Sequence, residues 1–261
     1  MLTSLQNSLV KQIRQLHQSK GRQEQQLFLV EGTHLLEEAC KRNYPLITVC
    51  HTFEWQEKHK FLYELVSQKA QRIELVSTKI IQSLATTVSP DGVVAIAPQS
   101  QTNFLKIMTL GIVLDKIQDP GNLGTIIRTA VATNIDGLFV SRDSVDLSHP
   151  KVVRASAGEW FNLHKAISEN LKNEILKLQS QGLQVLATVP NSNINYWEID
   201  LRKPTIIVLG NEGSGISKDL IDLADYSVKI PLSNGVESLN VAVSAAIILY
   251  EIQRQRQLEL K

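Results

Sequence analysis

Residues 111–130 read GIVLDKIQDPGNLGTIIRTA, and this stretch decides the fold class. Its apolar beginning predicts a strand over residues 111–117, and Asp119-Pro120-Gly121 then predicts a sharp turn. Helical spacing of the following apolar residues predicts a helix over residues 124–134. A strand rich in Val, Ile and Leu that leads at once into a helix is typical of a parallel sheet covered on both faces.

The same alternation of strands and helices continues towards the C-terminus. Further strands are predicted at 137–141, 184–189, 205–210 and 227–232, and further helices at 151–158, 169–181, 218–224 and 239–256. The fold class is therefore α/β, with a parallel sheet. Ligands of such sheets bind beyond the carboxyl ends of the strands, so the loops after residues 117, 189, 210 and 232 are where chemistry is expected.

The first 98 residues predict a smaller α/β domain of their own. An apolar stripe between Leu2 and Leu16 predicts an amphipathic helix, and four short apolar strands follow it, LFLVE, LITVC, RIELV and VVAIA. The segment PQSQTN at 98–103 lacks apolar residues and suits a linker. We therefore predict a domain at 1–98, a linker at 99–108 and a second domain at 109–261.

Composition excludes several classes of protein. The chain has 43% hydrophobic and 20% charged residues, a formal net charge of +1 and two cysteines at a spacing that suits no zinc or disulfide framework. The beginning of the chain lacks the apolar core of a signal peptide, and no apolar run is long enough to span a bilayer. We expect no metal, no membrane association and a cytoplasmic location.

Basic residues form two local groups that could bind RNA phosphate. The first lies in residues 1–26, where a single acid, Glu24, accompanies Lys11, Arg14, Lys20 and Arg22. The second is in HPKVVRASAG (149–158), where Lys151 and Arg154 are three residues apart on one predicted helix face. In both groups, the alternative is that the side chains are simply solvated.

Three loops carry the polar residues expected of a site. Asn122 precedes the predicted helix at 124 and is a natural helix cap, and Arg128 follows among apolar neighbours. LGNEGSGIS (209–217) has three glycines after a strand, but the charge of Glu212 would repel a phosphate and better suits a cationic ligand. In IPLSNGVESLNVAVSAAIILYE (230–251), Ser238 could cap the long helix, whereas capping does not explain Asn240.

Taken together and in this order, DPGNLGTIIRTA, GNEGSGIS and IPLSNGVESLNVAVSAAIILYE resemble the three signature motifs of the SpoU (TrmH) family of SPOUT methyltransferases. VVRASAG resembles the region that these enzymes carry between the first two motifs, although Glu159-Trp160 replaces the smaller residues that are usual there. Residues 1–98 resemble the substrate-binding domain of the same family, which is similar to ribosomal-protein-type RNA-binding domains.

The resemblance implies an S-adenosylmethionine-dependent transfer of a methyl group to a ribose 2′-hydroxyl of RNA, in a domain with a deep trefoil knot. It places polar active-site positions at Asn122, Arg128, Glu212, Ser238 and Asn240. It places cofactor contacts at Thr188, Gly210, Ile230, Leu232 and Leu239.

The resemblance also implies a homodimer with the active site near the interface, and assigns acceptance of the hydroxyl proton to Arg128. Arginine side chains stay protonated in proteins and are rarely bases, so Arg128 could instead hold phosphate and stabilise the developing alkoxide. Whether it would act in its own subunit or in the partner's is open.

Two other functions are weighed against this one. A nucleotide-binding enzyme of the Rossmann type would need its glycine loop after the first strand, whereas GNEGSG follows a late one. A non-catalytic RNA-binding protein that kept the fold would not need all five polar residues of the site, namely Asn122, Arg128, Glu212, Ser238 and Asn240. We expect ribosomal RNA as the substrate, with transfer RNA as the alternative.

Overall fold

The computed structural model describes residues 1–99 and 105–257. From the N-terminus, the helices and strands before the linker are α1 (Ser8–Gln15), α2 (Ser19–Gln25), β1 (Leu27–Glu31), α3 (Thr33–Lys41), β2 (Leu46–His51), α4 (Phe53–Lys58), α5 (Lys60–Lys69), β3 (Ala70–Leu75), α6 (Thr78–Leu84) and β4 (Val93–Pro98). Residues 100–104 of the predicted linker lie outside the described residues.

The second series of elements contains every predicted strand and helix, together with two short strands, Lys165–Ser168 and Ile194–Asn195, that the sequence does not predict. Its members are β5 (Leu110–Leu114), α7 (Pro120–Ala132), β6 (Gly137–Ser141), α8 (Pro150–Ala155), β7 (Lys165–Ser168), α9 (Leu171–Ser180), β8 (Gln184–Thr188), β9 (Ile194–Asn195), β10 (Thr205–Leu209), α10 (Lys218–Ile221), β11 (Tyr226–Lys229) and α11 (Val241–Gln257). Short 3-10 helices occupy Glu159–Phe161 and Tyr196–Glu198.

The chain divides into two compact units, each with its own sheet. The N-terminal unit contains Met1–Ser100 and Asp146–Asn162, and the C-terminal unit contains Gln101–Val145 and Leu163–Lys261. The segment Asp146–Asn162 thus belongs with the N-terminal residues, although it lies in the chain between two strands of the other unit. The predicted division of the chain at 99–108 assigns residues 146–162 to the second domain instead.

The N-terminal unit is built on a four-stranded mixed sheet in the order β1-β4-β2-β3. Strand β4 is antiparallel to both β1 and β2, and β2 is parallel to β3. Helix α1 buries Leu9, Val10 and Ile13 against this unit's core, so the predicted amphipathic stripe is confirmed. Between β2 and β3 lie two helices rather than one, because the chain leaves helical geometry at His59, between α4 and α5.

Segment 146–162 is held in the N-terminal unit by a buried ion pair and an aromatic cluster. Arg22 is 1% exposed, and its guanidinium lies 2.6 Å from the Asp146 carboxylate. The Trp160 ring packs against Phe28 with 4.5 Å between ring centroids and against Tyr44 at 5.8 Å. Buried charges and large rings of this kind define one position for the segment.

The C-terminal unit contains a seven-stranded sheet in the order β7-β6-β5-β10-β8-β11-β9. All of its strand pairs are parallel, which confirms the predicted fold class. Neighbouring residues of a strand point to opposite faces, and both Ile112 and Val113 of β5 are fully buried, so the sheet is covered on both sides. Val113 faces the core that includes α9, whose Ile175 is also fully buried.

The parallel arrangement places the carboxyl ends of β5, β8, β10 and β11 at the same edge of this sheet. The three loops that carry the sequence motifs follow β5, β10 and β11, so the fold brings them together. Among the described residues, no helix combines the length and apolar character needed to cross a membrane.

Candidate active site

A cavity of about 300 Å³ opens at this edge of the C-terminal unit. That volume lies at the lower end of the range typical of small-molecule sites. All five residues predicted to contact the cofactor line the cavity, namely Thr188, Gly210, Ile230, Leu232 and Leu239. Glu212 and Ser238 line it as well. Their contacts with a cofactor stay a prediction.

The loop after β10 forms one wall and is closed by its own hydrogen bonds. The backbone N–H groups of Asn211 and Gly215 each donate to the other residue's carbonyl at 3.0 Å. A Cβ atom on Gly210 would lie 2.2 Å from the Gly215 carbonyl carbon, so only glycine allows the chain to pass so closely. The sequence predicts a tight glycine loop here, and the crossing at Gly210 is the reason for it.

Asn211 holds this loop through its side chain, a role that the sequence analysis does not predict. Its Oδ1 accepts hydrogen bonds from the N–H groups of Gly213 and Ser214, both at 2.9 Å. Its Nδ2 donates to the Lys116 carbonyl at 2.8 Å, in the loop after β5. An Asn between two glycines of a turn, at 210 and 213, is the available signal, because Asn side chains readily bond to backbone two residues on.

The helix after β5 begins earlier than the sequence predicts. Asp119 is the N-cap of α7, with Pro120 in the first turn, and the Asp119 Oδ1 accepts a hydrogen bond from the Asn122 N–H at 2.8 Å. The prediction that Asn122 caps this helix is therefore wrong. Proline suits the first helical position because it needs no hydrogen-bond donor there, so the Asp-Pro pair was the better signal. Because Asp119 caps the helix, the Asn122 side chain is available for other contacts.

Asn122 links the other two motifs. Its Nδ2 donates to the Glu212 Oε1 at 2.9 Å, and its Oδ1 accepts from the Asn240 Nδ2 at 2.8 Å. One residue from each predicted motif thus belongs to a single chain of hydrogen bonds, which we call the amide network (Glu212, Asn122 and Asn240). The network fixes both side-chain amides, since each has a definite donor or acceptor to satisfy.

Glu212 is the anionic end of the amide network. Burial alone would raise the pKa of its carboxyl group, but hydrogen bonds from the Asn122 side chain and from the backbone N–H groups of Gln118 and Asp119 outweigh burial and lower it overall. Glu212 is therefore ionised at neutral pH. A fixed negative charge on the cavity wall suits a cationic ligand better than a phosphate.

Asn240 caps the long helix α11. Its Oδ1 accepts hydrogen bonds from the N–H groups of Ala242 at 2.9 Å and Val243 at 3.3 Å. The alternative in which Ser238 caps this helix does not hold, since the helix begins later, at Val241. Asn240 occupies the capping position, so the expectation that capping does not explain Asn240 is wrong. Ser238 is instead exposed on the cavity wall.

Arg128 is not brought into the amide network or the cavity wall. It lies on an exposed face of α7, six residues after Asn122, and at 100° per residue the two side chains leave the helix in different directions. Within the described residues, Arg128 makes no hydrogen bond or ion pair.

The predicted RNA contacts of the N-terminal unit separate into surface and buried residues. Lys11, Arg14 and Lys20 are exposed, as the prediction requires. Arg22 is buried, pairs with Asp146 and donates to the carbonyls of Leu16 and His17, so the prediction that it contacts RNA phosphate is wrong.

The second basic group differs in its surroundings. Lys151 is exposed, whereas the Arg154 guanidinium lies 3.1 Å from the buried carboxylate of Glu31 and donates to the Thr86 hydroxyl at 2.7 Å. Their contacts with RNA stay a prediction. Among the described residues, no group of three or more histidines, cysteines and acids is arranged to hold a metal ion.

Two family models match the chain. The model of the SpoU rRNA Methylase family matches residues 109–250, and that of the MRM3-like substrate binding domain matches residues 7–95. The two matches fall on either side of the predicted linker.

Curated relatives and a solved structure match nearly the whole chain. An uncharacterized tRNA/rRNA methyltransferase of Synechocystis sp. is 44% identical over 98% of this chain and 94% of its own length. The 23S rRNA (guanosine(2553)-2′-O)-methyltransferase RlmP of Bacillus subtilis is 29% identical over 97% of this chain and 98% of its own. The crystal structure of an AdoMet-bound rRNA methyltransferase from Sinorhizobium meliloti is 30% identical, covers 97% of each chain and superimposes with a TM-score of 0.87.

These matches span both units, and they agree with the motifs that meet at the edge of the parallel sheet. They confirm the predicted family, enzyme class and cofactor. The chain therefore belongs to the SpoU (TrmH) family of S-adenosylmethionine-dependent RNA 2′-O-methyltransferases.

Proposed function

We propose that this protein transfers the methyl group of S-adenosylmethionine to a ribose 2′-hydroxyl in ribosomal RNA. The observation that supports this most is the amide network, which joins the three motifs beside a ligand-sized cavity. When bound, S-adenosylmethionine supplies a methyl group that its sulfonium already activates. The protein then has to bind, align and exclude water, which can provide much of the acceleration.

The residues of the cavity fit this cofactor. Two carboxylates, Glu212 and Glu237, and one cation, Lys229, line the cavity, so its charge is net negative and would suit a cationic sulfonium. Leu209, Leu239 and Val241 provide apolar surface. Gly210 and Ile230 lie at the carboxyl ends of strands, where exposed backbone groups can bond an adenine edge. The cavity wall thus offers charge, apolar surface and backbone partners together.

The amide network is proposed to orient the ribose. Asn122 is held from both sides by Glu212 and Asn240, so its position is set before substrate arrives. Preorganised groups of this kind stabilise developing charge without the cost of rearrangement. Ser238, exposed at the cavity rim, is in a position to donate a hydrogen bond to substrate.

Arg128 is proposed to hold the RNA phosphate and stabilise the developing alkoxide. It is exposed on α7 and outside the cavity wall of its own chain, which favours action on a site completed by a second subunit. We propose a homodimer in which the exposed side of α11, with Val243 and Tyr250 at 47% and 53% exposure, packs against the partner. A Val243→Asp variant is expected to sediment as a monomer, whereas Arg254→Ala at the helix end should remain dimeric.

The trefoil knot stays a prediction from the family resemblance, and the cytoplasmic location stays a prediction from the composition. Ribosomal RNA is proposed over transfer RNA because 97% of the chain, including its substrate-binding unit, aligns with RlmP, a 23S rRNA methyltransferase. The exposed Lys11, Arg14 and Lys20 are proposed to contact RNA phosphate.

The test is transfer of tritiated methyl from S-adenosylmethionine to a 23S ribosomal RNA transcript, followed by alkaline hydrolysis. A 2′-O-methyl group protects the adjoining phosphodiester, so label in alkali-stable dinucleotides is expected. Arg128→Ala should reduce the rate by about 100-fold or more, in the range seen when one stabilising group is lost. A 16S transcript and bulk transfer RNA are the control substrates. No transfer to any of these RNAs would favour a non-catalytic RNA-binding protein.

A further inference from the structure

A second cavity, of about 420 Å³, lies in the C-terminal unit at the carboxyl ends of β5, β6 and β7. Residues 141–143 and 168–172 form two of its walls, and Ser217, Asp219 and Leu220 at the start of α10 form another. We call it the β5–β7 cavity. It lies at the same edge of the sheet as the first cavity, which is proposed to bind the cofactor. The loops after β5 and β10 lie between the two cavities. None of the sequence motifs accounts for the β5–β7 cavity.

The wall between the cavities is rigid. Lys116 has a φ of 56°, in the left-handed region that non-glycine residues seldom adopt. Its N–H donates to the Ser141 hydroxyl at 2.8 Å, and its carbonyl accepts from the Asn211 side chain at 2.8 Å. Hydrogen bonds from both neighbouring strand ends therefore hold this strained residue in place.

Gln118 connects the β5–β7 cavity directly to the amide network. Its backbone N–H donates to the Glu212 Oε2 at 3.3 Å, and its Nε2 donates to the Asp143 carbonyl at 2.8 Å. Asp143 lines the β5–β7 cavity, and Glu212 bonds to Asn122. A single residue, Gln118, thus lies between the lining of this cavity and the groups proposed to hold the ribose.

The charges of the cavity are mixed. It is lined by the cations Lys116, Arg142 and Lys172, and by the carboxylates Asp115, Asp143, Glu169 and Asp219. Asp115 accepts hydrogen bonds from the Ser217 N–H and hydroxyl at 2.8 and 2.6 Å, and Arg142 pairs with Glu169. Asp143, Asp219 and Lys172 have side chains without a hydrogen bond or ion pair to any described residue. Acceptors and a donor therefore remain for a ligand.

This mixture favours a nucleobase over a phosphate or a metal. The four carboxylates outnumber the three cations, so the lining has no excess of positive charge to hold a phosphate, and the described residues contain no grouping suited to a metal ion. The edge of a base presents donors and acceptors side by side, and carboxylates and lysines are among the side chains that recognise them. Enzymes that do chemistry on a base take it out of the stack into a pocket. A pocket for the base would serve a ribose methyltransferase in a different way, by fixing the position of the nucleotide whose 2′-hydroxyl reacts.

We propose that the β5–β7 cavity receives the base of the nucleotide whose ribose is methylated, and that Asp219 and Lys172 bond to its hydrogen-bonding edge. Asp219 lies in the first turn of α10 and Lys172 in the first turn of α9, and the two helices pack together. Both residues are thus carried by regular elements. The inference rests on the proposed function, because it names what determines the nucleotide specificity of that reaction.

The test uses the full-length protein and four 23S transcripts that differ only in the base at the position that the wild-type protein methylates. We compare Asp219→Asn and Lys172→Ala with the controls Asp222→Asn and Lys177→Ala, which lie outside the cavity on the same two helical segments. We expect the wild-type protein and both controls to prefer one base by at least about tenfold in kcat/KM, the scale of one good base contact.

The two cavity variants should lose about tenfold of that preference, while their affinity for S-adenosylmethionine stays within twofold of wild type. Equal treatment of the four bases by wild type, or unchanged preference in both cavity variants, would overturn the inference and leave the proposed methyl transfer intact. Absence of methylation by the wild-type protein would instead overturn the proposed function, and this inference with it.

Discussion

The two units place their charged side chains differently. In the N-terminal unit, Arg22 is buried and its guanidinium pairs with Asp146, 124 residues along the chain. In the C-terminal unit, Glu212 and Arg128 are exposed, and Glu212 is held by amides rather than by a cation. Buried charges in the first unit fix one chain segment, whereas surface polar groups in the second stay accessible to a ligand.

Because of this difference, substitutions at the buried pair should mainly affect folding, and substitutions in the amide network should mainly affect activity. Removing one member of a buried ion pair leaves an unpaired charge in the interior, which is costly. Removing one member of an exposed network leaves a group that water can solvate, so folding suffers little.

Asp146→Ala is expected to lower the free energy of unfolding by about 3–5 kcal/mol, because the buried Arg22 charge would lose its carboxylate and keep only two carbonyl acceptors. Chemical denaturation measures the effect. The control Asp222→Ala removes an exposed carboxylate at the end of α10 and should change stability by less than about 0.5 kcal/mol. The double variant Arg22→Met, Asp146→Leu should recover much of the loss. Equal stability of Asp146→Ala and wild type would contradict the structural role of the pair.

Asn240→Ala is expected to lower methyl-transfer activity by about 10- to 100-fold, since it breaks the amide network at Asn122. It should also lower stability by about 1 kcal/mol through loss of the α11 cap. Ser77→Ala removes the cap of α6 in the N-terminal unit and is the control. If Asn240→Ala and Ser77→Ala lose the same small fraction of activity, Asn240 acts only as a helix cap and its bond to Asn122 does not contribute to methyl transfer.

Glu212→Gln should show a small pH-dependent change in stability, below about 1 kcal/mol as for other exposed charges. The pKa of Glu212 is lower in the folded protein than the ordinary 4.5. Its charge therefore contributes stability above pH 4.5, and this contribution is lost as the pH falls through the lowered pKa. The difference in unfolding free energy between wild type and variant should be constant near neutral pH and shrink in acid. A difference that instead grew in acid would mean that the carboxyl is destabilised by folding.

Much of the C-terminal unit could be predicted from the sequence because its strands are runs of buried Val, Ile and Leu. Predicted strands at 137–141, 184–189 and 205–210 agree with β6, β8 and β10 to within one residue. The short strand β7 was missed, since its sequence KAIS is half-buried and has no apolar run. Local patterns identify elements well where burial is continuous.

What the sequence could not show depends on partners that are distant in the chain. The sequence near Arg22 does not indicate that its side chain is buried and pairs with Asp146. Nor does it indicate that residues 146–162 belong to the N-terminal unit. At the site, the motifs predicted which loops meet, but not that Asn122 bonds to both Glu212 and Asn240. The family resemblance places Asn122 and Asn240 at the active site, but it does not name the partners of their side chains, which come from distant parts of the chain.

The most direct test of the central claim is calorimetric titration of S-adenosylmethionine into wild type, Gly210→Ala and Gly213→Ala. A Cβ at Gly210 would clash with the Gly215 and Ile216 backbone at 2.2 and 2.3 Å, whereas at Gly213 the nearest atom is 3.5 Å away. We predict micromolar binding by wild type and Gly213→Ala, and at least about tenfold weaker binding by Gly210→Ala. No binding by wild type, or equal binding by all three proteins, would contradict a cofactor site at the carboxyl edge of this sheet.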